Sequence, residues 1–151
     1  MIDRRDEEEE LGIVPAHERV SVGSGLWRGH LQVNLPVVLL MAAGGTIILG
    51  GGAIVAQSDE FHLGMPGTVL AVVASMALSP IGLPWIWWSV SVPKWRIWAL
   101  RHVDNWPEME ARAVKTGLIW PRGWIFEKTE IKSGKQRVLE QNLIRYRDEH
   151  G

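Results

Sequence analysis

LPWIWWSVSVPKWRIW, residues 83–98, holds five of the nine tryptophans of this 151-residue chain. Trp85, Trp87 and Trp88 close a run without charge, whereas Trp95 and Trp98 are interleaved with Lys94 and Arg96. Indole rings favour the boundary between hydrocarbon and water, where the ring body stays apolar and the N–H stays wet. Cations directly after such a run read as the point where a chain leaves an apolar layer.

Upstream the same pattern extends. No ionisable residue occurs from Leu63 to Pro93, nor from Leu31 to Ser58. The core of the first run is LPVVLLMAAGGTIILGGGAIVA, Leu35 to Ala56, and that of the second starts near Gly67. About 20 apolar residues at 1.5 Å each cover the roughly 30 Å of bilayer hydrocarbon. The fold class expected from this is a membrane protein. It consists of an α-helical hairpin of two transmembrane helices (residues 31–93) and a small α+β cytoplasmic unit (94–151), preceded by an acidic, largely disordered segment (1–30).

Charge sets the orientation. Arg19 and Arg28 precede the first run, and Lys94, Arg96 and Arg101 follow the second. The linker AQSDEFHLGMP carries Asp59 and Glu60 but no Lys or Arg. The positive-inside rule then places both termini in the cytoplasm. Trp27, Arg28, Trp85, Trp87, Trp88, Lys94, Trp95, Arg96 and Trp98 are the expected membrane-interface residues. Pro80 and Pro84 leave two readings open for the second span, a kink or an end near Leu83.

Small residues recur every fourth position at Gly67, Ala71, Ser75 and Ser79, and again at Ala42, Thr46 and Gly50. Helices in lipid approach closely over such residues, so these are the expected helix-packing faces.

The C-terminal part is varied enough to fold. Lys94 to Val103 fits either a strand or an interfacial helix. Asp104 or Asn105 can cap a helix with Pro107 in its first turn, Met109, Ala113 and Val114 on its buried side, and Gly117 as its stop. Trp124 to Ile131 reads as a strand after the Pro121-Arg122-Gly123 turn. Residues from Gly134 read as a terminal helix with Val138, Leu139, Asn142, Leu143 and Tyr146 along one side.

Composition narrows function. With no cysteine, disulfides, thiolate metal sites and thiol catalysis are excluded. A net charge of −1 argues against a general nucleic-acid binder. The five histidines form no ligand pair, and the glycines of 44–52 lack the Gly-Lys-Ser/Thr ending of a phosphate loop. The acidic run Asp6 to Glu10 reads as a solvated tail. No cofactor is expected and no enzyme. The expected function is a non-enzymatic structural or assembly subunit of a membrane complex, with an oligomeric channel or transporter component as the alternative. The expected partners are the lipid bilayer and either further copies of the chain or other membrane-complex subunits.

Overall fold

The structure is a computed structural model that describes residues 4–56 and 80–150, with backbone only for residue 4 and for 47–56. Its helices are α1 (Arg4–Leu11), α2 (Val22–Gly29), α3 (Leu35–Ala56), α4 (Gly82–His102), α5 (Trp106–Lys115) and α6 (Gly134–His150). Short 3-10 turns occupy Ala16–Glu18 and Ile125–Thr129, and a π-helical turn, His30–Asn34, leads into α3. There is no β-strand among the described residues, only one isolated parallel bridge, Val20 with Val103. The α+β expectation is therefore corrected to an all-helical architecture.

The hairpin expectation is corrected as well. Among the described residues, no helix is long and apolar enough to cross a membrane. In the first expected span the described side chains end at Thr46. In the second, α4 begins at Gly82 and carries Lys94, Arg96 and Arg101. The rest of that span, with Gly67, Ala71, Ser75 and Ser79, lies outside the described residues. The integral-membrane location, the cytoplasmic orientation, and the membrane-subunit and channel functions all rested on the hairpin and fall with it.

The chain divides into two compact units, one built from Met1–Asn34 with Ser89–Gly151, the other from Leu35–Trp88. In the first unit the core is set by α4. Val92, Trp95, Arg96, Ala99, Leu100 and Val103 follow the i, i+3, i+4, i+7 spacing of one helix face and are all buried. Trp106, Met109, Ala113, Leu118, Leu143 and Tyr146 complete this core. The stretch from Lys94 is thus helix as far as His102, and Pro84 sits in the first turn of α4, where its missing N–H costs nothing.

Two glycines bring α2 against this face. A Cβ at Gly25 would lie 2.7 Å from Met109 Cε and 2.9 Å from Val103 Cγ2. One at Gly29 would meet the Leu118 side chain and lie 2.7 Å from Trp95 Nε1. Only a residue without a Cβ allows this approach, and it lets Trp95 Nε1–H donate to the Gly25 carbonyl at 3.2 Å.

Proline shapes the helices in two places. Pro36 has no N–H for the carbonyl of Gln32 and crowds it, which suits the wider π turn just before α3. Pro93 inside α4 likewise deprives the Ser89 carbonyl of its helical donor. That carbonyl instead accepts the backbone N–H of Ile131 at 2.9 Å, which pins the 125–131 segment to α4.

Candidate functional site

Three arrangements hold the chemistry-bearing side chains of the first unit. The first surrounds the C-terminus of α4, where carbonyls lose their intrahelical donors. The Leu100 carbonyl accepts Arg147 Nε–H at 3.0 Å and Nη2–H at 2.8 Å. The Val103 carbonyl accepts Arg147 Nη2–H at 2.9 Å. The Arg101 carbonyl accepts Val14 N–H at 3.1 Å, and the His102 carbonyl accepts Val20 N–H at 2.7 Å. A buried guanidinium and the crossing 14–20 segment therefore satisfy this helix end, and the cation complements its negative dipole. Burial, with the like charge of Arg19, lowers the pKa of Arg147 from its ordinary value.

The acidic N-terminal run belongs to the same arrangement. Asp6 to Glu10 lie in α1, not in a solvated tail. Glu8 accepts from Tyr146 Oη–H at 2.8 Å and from Arg19 Nη2–H at 3.4 Å, and Arg101 Nε–H donates to the Leu11 carbonyl at 2.9 Å. An open groove of about 440 Å³ between α1 and α6 is lined by Glu10, Leu11, Lys135, Val138 and Asn142.

The second arrangement is a buried ion cluster. Arg96 Nη1 lies 2.8 Å from Glu140 Oε1 and its Nη2 lies 2.9 Å from Glu130 Oε1. Lys132 Nζ closes the ring at 2.9 Å from Glu130 and 2.7 Å from Glu140. Two cations and two carboxylates neutralise one another where either alone would be costly to bury. Burial raises the pKa of Glu140, but the hydrogen bonds from Arg96 and Lys132 outweigh it and hold the carboxyl below its ordinary value.

The third is the loop after α5. Gly117 stops that helix with φ +70°, and Asn105 caps its start, its Oδ1 accepting from Glu108 N–H at 3.2 Å. Trp120, Trp124 and Phe126 then cluster with ring centroids 5.0–5.9 Å apart. The stretch expected as a strand is a 3-10 turn, because Glu127 folds back to accept the Gly123 N–H at 2.6 Å and Trp124 N–H bonds the Pro121 carbonyl. Gly123 adopts φ +82°, which a side chain would disfavour.

The expected interface residues are dispersed among these settings. Trp95 and Arg96 are buried in the first unit. Lys94 is exposed. Trp98 is half-buried, stacked on His102 with Arg28 above it at 4.2 Å. Trp27 is exposed. In the second unit Trp85 and Trp88 pair at 5.8 Å, with Trp88 buried and Trp87 exposed.

Of the expected packing positions, Ala42 and Thr46 are exposed on α3, and Thr46 Oγ1–H bonds the Ala43 carbonyl at 2.8 Å. Gly50 is described only as helical backbone. Leu35, Val38, Leu39, Met41 and Ala43 are exposed beside them. At about 100° per residue these positions sweep roughly 200° of the helix surface.

Sequence reading missed Gly25, Gly29, Glu130, Glu140 and Arg147 as determinants of the fold. The four-residue spacing of the two glycines was a usable signal, and so was Arg96 sitting on an apolar stripe. Among the described residues, no group of three or more His, Asp or Glu is placed to hold a metal ion. No family model matches the sequence, and no curated protein or solved structure is similar to it.

Proposed function

We propose that this is a non-enzymatic protein that works by association, with a lipid bilayer surface as its partner at α3. One observation carries the reading. The exposed side chains of α3 from Leu35 to Thr46 are apolar or small, and they extend over far more of the helix than one packing face. A partner helix covers a stripe of about 100°. Lipid acyl chains cover a helix from every open side, which fits the roughly 200° exposed here. The absence of Asp, Glu, Lys, Arg and His from Leu31 to Ser58 agrees, since a protein–protein surface ordinarily carries a polar rim.

The non-enzymatic part is supported by where the buried ionisable groups of the first unit are used. Arg96 and Lys132 neutralise Glu130 and Glu140, and Arg147 is committed to backbone carbonyls. Each is engaged by other groups of the chain, which supports a role in the fold.

Flotation tests the proposal. The full chain, purified in mild detergent, is mixed with preformed vesicles, the detergent is removed, and the mixture is floated through a density gradient. The expected result is protein in the vesicle fraction. A monodisperse chain or a clean homo-oligomer left at the bottom would overturn it, the second in favour of self-association.

A further inference from the structure

The loop after α5 carries an exposed apolar tip. Ile125 is 72% exposed, Ile131 58% and Trp124 50%, and Trp124 clusters with Trp120 and Phe126. The tip is stiff. Pro121, the positive φ of Gly123, the Glu127 bond to Gly123 N–H and the Ile131 bond to the Ser89 carbonyl fix its backbone. An apolar tip held out by a rigid frame is already in its binding conformation.

Charge identifies what meets it. Both carboxylates of the loop are turned inward: Glu127 to Gly123 N–H and toward Arg96 at 3.9 Å, and Glu130, whose side chain is fully buried, to Arg96 and Lys132. Of its cations, Arg122 is held in a two-point ion pair by Glu110 of α5, and Lys128 is exposed. The loop therefore presents indole and aliphatic groups with the exposed Lys128 beside them. That combination matches the boundary of an anionic bilayer, where indoles settle at headgroup depth and Lys or Arg meet the phosphates.

We infer that residues 120–131 form a second lipid-docking element, one that inserts Trp124 and Ile125 at the interface of an anionic bilayer. The inference deepens the lipid reading of the protein and rests on it, while naming a different surface and a preference for negative headgroups.

The lack of native cysteine makes a site-specific test direct. Ile125→Cys in the full chain is labelled with an environment-sensitive fluorophore, and Gln141→Cys, an exposed position on α6, is the reference. Vesicles of phosphatidylcholine alone and of phosphatidylcholine with phosphatidylglycerol are added. The expected result is a blue-shifted, brighter label at position 125 with the anionic vesicles, a weaker response with the neutral ones, and no change at position 141. Lys128→Gln should move the docked fraction about fivefold toward water. A label at 125 that stays water-like while the chain floats with vesicles would overturn the docking loop and leave the α3 reading standing. A chain that neither floats nor responds would overturn both.

Discussion

Arg147 shows how one side chain can close a helix that the backbone leaves open. Its fork reaches the carbonyls of Leu100 and Val103 from inside the core, so the planar geometry matters as well as the charge. Arg147→Lys keeps the charge but not the fork, and should lower unfolding stability by about 2–3 kcal/mol in urea titrations. Gly29 makes a complementary case. Gly29→Ala drives a methyl into Trp95 and Leu118 and should cost about 1–3 kcal/mol, whereas Gly45→Ala, with open space around its Cβ, should be neutral or slightly stabilising. Glu140 links the ion cluster to pH. Its folded-state pKa is depressed, so its contribution is complete above the unfolded value of about 4.3 and is lost as pH falls through the lower folded value. Urea midpoints measured from pH 7 to pH 3 should fall in the native chain, and Glu140→Gln, already weakened at pH 7, should fall less.

Helix α4 joins most of the fold's features, and it also shows how far the sequence could be read. The cap at Asn105, the stop at Gly117 and the burial of Met109 and Ala113 were all legible, because local chemistry decides them. The terminal helix was placed correctly, but Val138 is exposed while Glu140 and Arg147 are buried, since its partners lie far away in sequence. The tryptophan-rich stretch misled for a physical reason. An apolar run followed by cations describes a membrane exit, yet it equally describes a helix whose buried stripe contains Arg96 opposite two carboxylates from residues 130 and 140. Nothing local to Arg96 announces those partners. The Ile131 N–H that serves the Ser89 carbonyl, left without a helical donor by Pro93, is likewise not announced by anything local. Hydrogen exchange checks that bond. The Ile131 amide lies outside any helix but should exchange as slowly as the α4 amides around it, and Pro93→Ala, which restores a helical donor for Ser89, should speed it.

Over the molecule as a whole, one unit spends its charges on its own interior, and the other displays an apolar helix surface. α3 carries exposed Leu35, Val38, Leu39 and Met41 without an intervening charge. A surface of that kind is unusual unless something covers it, and lipid is the proposed cover. Single cysteines placed in turn at 35, 38, 39, 41 and 43, each carrying a nitroxide, test this most directly in the vesicle-bound full chain. The readout at each position is relaxation by oxygen, which concentrates in hydrocarbon, against relaxation by a water-soluble nickel chelate. Oxygen should dominate at all five positions, with no helical period in the ratio. A 3.6-residue period, one side shielded from both reagents, would mean that a protein surface covers the helix; dominance of the nickel chelate throughout would mean that water does. Either result would contradict the lipid assignment.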